Sequence, residues 1–393
     1  VVTAAVLFIF GILLVLKYSG FFISAAEFFA GIFGVKPHFK TFKFLLPLGI
    51  SYYTLQAAGY IIDVYRGKYR ATDNFFKLAL FLSFFPQIVE GPIGRYDLLA
   101  EPLYSGHSFD YDRFTKGLQL MAWGLFKKMV IADRANIFVS EVFGDYQKYS
   151  GSIILLGGVL YTLQIYAEFS GCMDIVTGSA ELFGVPLSQN FSRPFFSKSV
   201  AEFWRRWHIT LGAWLRDYVF YSVSLSKPFM KLSRFAKEHL NEFLGSLIPA
   251  SFAMFFTWFG IGFWHGAGVK YIIYGLYYYA VMMLGMYLEP LFARAFNAAH
   301  INRNSKPLNA LRILRTLILV VCGMTLFRAE TVGIWLGMIK RVFTGFGGGT
   351  FLNDALLCGM DKQDFLIVIL GAAVMLVIST LQELSLIHIS EPT

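Results

Sequence analysis

The chain has 393 residues, of which 56% are apolar and 15% are charged, and its mean hydropathy is +0.57. Soluble domains carry about 25% charged residues, and a water-soluble fold could not bury an apolar excess of this size. The same composition excludes a disordered chain. It predicts a polytopic membrane protein, in which the net charge of +9 marks cytoplasmic loops rather than a nucleic-acid surface.

Both ends of the chain are expected to be incomplete. Val1 already lies inside an apolar run, which is typical of a span whose beginning is missing. Residues 384–393 resemble a non-native tail, the translated end of a broken sequence read; a genuine interfacial tail is the alternative. We therefore expect one membrane domain over 1–383, truncated at both ends.

Apolar stretches follow one another along the chain. A bilayer-spanning helix needs roughly 20 apolar residues. Stretches without Asp, Glu, Lys or Arg lie at 44–62, 151–167, 243–269, 271–288 and 365–382. Shorter apolar runs lie at 18–35, 78–89, 118–126, 172–180 and 316–327. Because lipid requires backbone polar groups to be satisfied internally, we expect an all-α fold of roughly 8 to 11 transmembrane or re-entrant helices, plus interfacial helices.

The longest polar connection, 188–242, is rich in Lys and Arg and is predicted to be cytoplasmic or interfacial. If 202–218 forms one helix, its broad aromatic face carries Trp204, Trp207 and His208, and its other face carries Arg205 and Arg206. This pattern is typical of a helix in the membrane interface with arginines toward the headgroups. It is equally typical of an anchoring helix with a packed histidine.

A second histidine, His265, lies near the end of the longest uncharged stretch, preceded by Trp264 and followed by Gly266. Ionisable groups at membrane depth are costly and are functional candidates. A neutral imidazole can accept a proton, as a general base must. The neighbouring glycines permit close helix packing or close approach of a thin substrate. A packing histidine at a helix crossing is the alternative.

Several motifs together resemble the membrane-bound O-acyltransferase superfamily. Trp-Arg-Arg-Trp-His at 204–208 is followed by Gly-Phe-Trp-His-Gly at 262–266, and Pro-Gln-Ile-Val-Glu-Gly-Pro-Ile-Gly-Arg ends at Arg95. The similarity covers about 45 to 340 in the same order, and the nearest branch is the bacterial one that O-acetylates alginate or peptidoglycan, related to teichoic-acid D-alanyl transfer. One segment departs from that branch: Glu168 and Asp174 enclose Phe-Ser-Gly-Cys-Met, where the branch has Phe-Ser-Gly-Tyr-Ser.

The resemblance implies acyl transfer, with acetyl as the first expectation, from a cytoplasmic thioester donor to a hydroxyl of a cell-envelope polysaccharide. The donor is acetyl-CoA or an acylated carrier protein, and no tightly bound cofactor or metal is expected. His265 is implied as the catalytic base, with His208 as a second important histidine, beside a tunnel between helices. Candidate substrate-binding or supporting residues are Trp204, Arg205, Arg206, Trp207, Trp264, Gly266, Arg95, Glu168 and Asp174.

The resemblance also implies a multi-pass protein of the bacterial cell membrane that works with a separate extracytoplasmic acetyltransferase. D-alanyl transfer to teichoic acid by the same chemistry is the alternative activity. A transporter or lipid scramblase that uses intramembrane His and acidic residues is the alternative of another class. The charged residues within or near the membrane, Asp63 and Glu90 among them, fit a structural ion pair as well as a functional one.

Overall fold

A computed structural model describes residues 1–35, 44–347 and 351–390, with residues 385–390 described for their backbone only. Within these ranges the protein is all-α, as predicted, and its one β-feature is an isolated bridge between Phe191 and Trp207. Residues 391–393 of the predicted non-native tail lie outside the described residues. The α-helices are α1 Val2–Ile32, α2 Ile50–Tyr65, α3 Phe75–Ser83, α4 Tyr96–Tyr104, α5 Tyr111–Leu125, α6 Asp133–Gly144, α7 Gly151–Glu181, α8 Val200–Arg206, α9 Ile209–Leu215, α10 Tyr221–Ser224, α11 Lys227–His239, α12 Glu242–His265, α13 Val269–Ala298, α14 Lys306–Arg328, α15 Val332–Thr344, α16 Phe351–Leu356 and α17 Lys362–Ser390.

Six of the helices in the described part of the chain are long and apolar enough to cross a bilayer: α1, α7, α12, α13, α14 and α17. Some of the predicted runs merge into single helices. The runs at 151–167 and 172–180 form α7, because the helix continues through the intervening residues 168–171. The protein is therefore a multi-pass membrane protein.

The fold divides into two compact units. Unit 1 comprises 1–117, 179–189 and 210–283, and unit 2 comprises 118–178, 190–209 and 284–393. A core of unit 1 packs Tyr60, Phe81 and Leu99, and the larger core of unit 2 packs Phe138, Ile153, Phe203, Trp207 and Met324, among others.

Glycines allow helices within each unit to approach closely. In unit 1, a Cβ on Gly262 of α12 would lie 2.3 Å from the carbonyl oxygen of Tyr271, and one on Gly275 would lie 2.2 Å from that of Trp258. In lipid, helix association relies on such close packing rather than on the hydrophobic effect. Gly262 therefore supports the packing interpretation of the glycine-rich segment.

The prediction of one helix over 202–218 is wrong. The helix ends at Arg206, Trp207 is extended, His208 has a left-handed φ of 49°, and α9 begins at Ile209. The break is stabilised by the strand-like pairing of Trp207 with Phe191, in which the Ser192 N–H donates to the Arg206 carbonyl at 2.9 Å. The aromatic side chains are also not directed to lipid, since those of Trp207, Trp214 and Tyr218 are buried in protein.

Candidate active site

His265 is the last residue of α12, the helix that the long uncharged stretch predicts. Its half-buried ring lies between aromatic edges: the Trp264 ring centroid is 5.0 Å away and that of Tyr274 on α13 is 5.9 Å away. Gly266 follows directly, and a Cβ there would lie 2.4 Å from the Tyr271 ring. The imidazole is thus held in an aromatic pocket that a larger neighbour at position 266 would disturb.

Lys17 is a functional candidate that the sequence reasoning missed. It lies within the apolar helix α1, and its ammonium donates to the Trp264 carbonyl at 2.8 Å and to Ser51 Oγ at 3.1 Å. The Tyr18 hydroxyl donates to the Phe263 carbonyl at 2.6 Å. Carbonyls in the last turn of a helix lack intrahelical partners and favour cations. Lys17 and Tyr18 therefore fix the turn that presents His265.

The signal that identifies Lys17 is visible in the sequence. It is a basic residue inside a 31-residue apolar helix. An ionisable residue in such a segment is a functional candidate. The prediction that the chain begins inside a span does not include Lys17 in that span, whereas α1 continues through Lys17 to Ile32.

His208 lies at the junction of α8 and α9, where its side chain is buried. Its Nδ1 is 3.3 Å from Asn190 Oδ1, and its ring meets the Phe169 ring edge-on at 4.9 Å. The Asn190 amide nitrogen donates to Met173 Sδ, which directs the oxygen to His208. A carbonyl oxygen can only accept, so Nδ1 carries the proton and Nε2 of a neutral ring keeps its lone pair.

The four residues before His208 have separate environments. Trp207 stacks on Phe203 with centroids 5.4 Å apart, and Trp204 packs edge-on against the same ring. Arg206 pairs with Glu202 at 2.8 Å and with Glu383 of α17 at 3.3 Å. Arg205 is exposed. The expected orientation toward headgroups therefore does not hold for Arg206, whose guanidinium forms ion pairs inside unit 2.

Glu168 and Asp174 form ion pairs within unit 2. Asp174 is 2.7 Å from Lys127, a buried lysine that also donates to Ser170 Oγ at 3.0 Å. Glu168 is 2.9 Å from Lys128. A buried ion pair satisfies both charges but contributes little net stability. These contacts favour the structural interpretation of both acids.

Arg95 belongs to a separate cluster of charges in unit 1. Its guanidinium is 2.6 Å from Asp217 and lies over the Tyr218 ring at 4.6 Å. The Tyr218 hydroxyl donates to buried Asp63 at 2.7 Å. Burial, with this hydrogen bond, raises the pKa of Tyr218 above its usual value, so the phenol stays protonated. Arg66 and these charged side chains line a cavity of 720 Å³.

The predicted site residues therefore form distinct groups. Unit 1 holds the Trp264, His265 and Gly266 group with Lys17, and it also holds the Arg95 cluster. Unit 2 holds His208 with its Asn190 partner, together with the remaining candidates. Glu90 is exposed. Within the described residues, no three His, Cys, Asp or Glu side chains gather as a metal site.

The comparison with protein families identifies the family of this chain. The family model described as MBOAT, membrane-bound O-acyltransferase family, matches residues 70–321. The chain belongs to the membrane-bound O-acyltransferase family. This match includes His208 and His265, and it agrees with the multi-pass helical fold.

Three relatives of this MBOAT chain come from bacteria. The probable alginate O-acetylase AlgI of Pseudomonas aeruginosa is 35% identical over 88% of this chain and 61% of its own length. The peptidoglycan O-acetyltransferase of Helicobacter pylori is 29% identical over 90% of this chain and 66% of its own length. The teichoic acid D-alanyltransferase of Bacillus subtilis is 28% identical over 65% of this chain and 62% of its own length. The chain thus spans less than two thirds of the length of these relatives.

Proposed function

We propose that this MBOAT protein is an O-acyltransferase that moves an acyl group, acetyl first, from a cytoplasmic thioester donor to a hydroxyl acceptor for cell-envelope polysaccharide modification. The observation that carries the proposal is the placement of His265, at the end of a membrane-spanning helix and enclosed by aromatic rings. The alginate and peptidoglycan O-acetylating relatives supply the acceptor class. A separate extracytoplasmic transferase completes the modification in this proposal.

His265 acts as general base in the proposed reaction. Its imidazole takes the proton of the acceptor hydroxyl while the hydroxyl oxygen forms a bond to the thioester carbonyl carbon. The carbonyl electron pair moves to its oxygen and then returns, and the carbon–sulfur bond breaks. The thiolate takes the proton from the imidazolium, so the base is regenerated. The products are an acyl ester and a free thiol.

Two features of unit 1 support this role. The aromatic rings of Trp264 and Tyr274 lie against the half-buried imidazole, and in this proposal they limit the access of water, which would otherwise hydrolyse the thioester. Lys17 and Tyr18 hold the final turn of α12, so the imidazole needs little reorganisation when the substrates arrive. We assign Lys17 a positioning role. In this proposal a tunnel between helices admits the donor and the acceptor from opposite faces.

His208 has a secondary role in the proposal. The Asn190 oxygen selects the tautomer in which Nε2 is the accepting atom, so a neutral His208 can accept a proton or a substrate hydroxyl at that nitrogen. Its burial and its left-handed backbone fix the ring direction. We infer that it orients a substrate or relays a proton.

D-alanyl transfer is the second candidate activity, because the D-alanyltransferase relative aligns over 65% of this chain. The chemistry at His265 is the same, and only the acyl group and acceptor differ. The two activities are distinguished by the acyl group that is found on the envelope polymer.

The test replaces His265 by Ala or Gln in a bacterial strain that lacks its own relative. Ester-linked acetyl and D-alanyl groups on the envelope polymers are quantified, with membrane levels of each variant measured in parallel. Loss of a general base costs typically about 10²- to 10⁴-fold in rate, so we expect the rate of ester formation to fall at least about 100-fold. The control is His239→Gln, which alters an exposed histidine on α11. Normal ester levels with His265→Gln protein in the membrane would contradict the proposal.

A further inference from the structure

A cavity of 490 Å³ in unit 2 lies where α13 is followed by α14. Both helices are membrane-spanning candidates, so their connected ends lie near the lipid headgroups. Its lining joins two kinds of side chain, basic and apolar. The basic ones are Lys198, Arg303, Arg312 and Arg315. We refer to this cavity as the α13–α14 cleft.

The basic side chains leave the cleft with excess positive charge. Glu289, the one carboxylate in its lining, pairs with Arg303. Arg312 donates to the Arg303 carbonyl at 3.0 Å, and Arg315 donates to the Lys198 carbonyl at 2.9 Å. Backbone carbonyls do not neutralise a guanidinium. In the part of the chain that the structure describes, no carboxylate lies within 4.0 Å of the side-chain nitrogens of Lys198, Arg312 or Arg315, since Glu289 accounts for Arg303 alone.

The apolar half of the lining points to a ligand with a hydrocarbon chain. Phe292 of α13 and Leu311 of α14 line the cleft and are 48% and 62% exposed. On membrane-spanning helices, exposed apolar side chains of this kind face lipid tails. Phe296 and Leu308 extend the apolar wall inside the cleft. The cations and the hydrocarbon surface are thus adjacent in one cavity.

We propose that the α13–α14 cleft binds one anionic phospholipid. The phosphate of its headgroup lies among Lys198, Arg312 and Arg315, and one acyl chain lies along Phe292 and Leu311. Basic pockets between transmembrane helices suit anionic headgroups. A zwitterionic lipid would leave the excess charge uncompensated, and a free phosphate would leave the apolar wall without a partner. The site does not depend on the proposed acyl transfer.

The experiment measures lipid binding to the full chain in detergent by native mass spectrometry. Phosphatidylglycerol and phosphatidylcholine with identical acyl chains are titrated separately. The variant Lys198→Gln removes one charge from a side chain that is exposed and forms no ion pair among the described residues, so it does not disturb the fold. The matched control, Lys362→Gln, removes a charge at the exposed start of α17. Leu311→Ser tests the apolar wall.

We expect phosphatidylglycerol to bind the wild-type chain more tightly than phosphatidylcholine. Lys198→Gln should weaken phosphatidylglycerol binding about fivefold, the effect of one basic residue near an anionic headgroup, and Lys362→Gln should not. Leu311→Ser should weaken it too. Equal affinity for the two lipids, or equal effects of the two lysine variants, would overturn the proposal. Displacement by inorganic phosphate, with Leu311→Ser unchanged, would overturn it in favour of a small-anion site.

Discussion

Replacing Lys17 by Met tests whether the contact of α1 with the end of α12 positions His265. Met keeps the length and apolar stem of the side chain but removes the ammonium that donates to the Trp264 carbonyl at 2.8 Å. A hydrogen bond to a charged group contributes about 1.5 to 3 kcal/mol. If the whole free energy of this hydrogen bond is lost from the transition state, the rate of acyl transfer falls about 10- to 150-fold. Because the Tyr18 hydroxyl still donates within the same turn, we expect the lower end of that range.

The stability of the protein separates this role from a structural one. Removing an ammonium from an apolar helix relieves a desolvation cost, so the Lys17→Met protein should unfold at the same temperature as the wild type or higher. The measurements are ester formation in membranes and thermal unfolding in detergent. Ser51→Ala, which leaves the Trp264 contact intact, is the control and should have the smaller effect. Activity within about twofold of wild type, or activity and stability that decline in parallel, would refute the positioning role.

Three further predictions concern contacts elsewhere in the two units. Gly266→Ala should reduce the rate of acyl transfer, because the added Cβ would lie 2.4 Å from the Tyr271 ring. The double variant Gly266→Ala/Tyr271→Leu should recover part of the lost activity, and ester assays on both variants check this. Asn190→Leu should lower activity up to about tenfold by releasing His208 Nδ1, with little change in membrane level, and an unaltered rate would show that the tautomer is irrelevant. Lys127→Met should destabilise the protein by about 3 to 5 kcal/mol, because the Asp174 carboxylate loses its partner. The double variant Lys127→Met/Asp174→Leu should unfold close to the wild-type temperature. Equal losses of stability in the two variants would refute the pairing.

The all-α membrane fold could be predicted because composition and apolar run length determine which segments enter a bilayer. The number of long helices could not be predicted, because apolar runs do not show whether the residues between them stay helical. The runs at 151–167 and 172–180 illustrate this limit. Glu168 interrupts the apolar pattern, but it pairs with Lys128 and α7 continues through it. A charge ends an apolar run without ending a helix, since its partner comes from a distant part of the chain.

The local structure around His208 was harder to predict from the sequence, for a related reason. Periodicity over 202–218 favours one helix, and no Gly or Pro lies next to His208; the one glycine of the stretch, Gly212, lies inside α9. The break is imposed by 190–192, whose backbone pairs with residues on both sides of the histidine: the Ser192 N–H donates to Arg206 and the Ile209 N–H donates to Asn190. Tertiary hydrogen bonds here override the helical preference. They also hold His208 at a positive φ, which His adopts more readily than most residues.

Both candidate histidines owe their placement to a polar residue far away in sequence. Lys17 stabilises the carbonyl that precedes His265, and Asn190 contacts the ring of His208. In an apolar body, a polar group without a partner costs more than it does in water, so the Trp264 carbonyl requires a donor such as Lys17 and the His208 ring requires an acceptor such as Asn190. The motifs therefore identify the histidines but not their partners. A charged residue inside an otherwise apolar segment is the sequence signal for such a partner. Lys17 in α1 is an example.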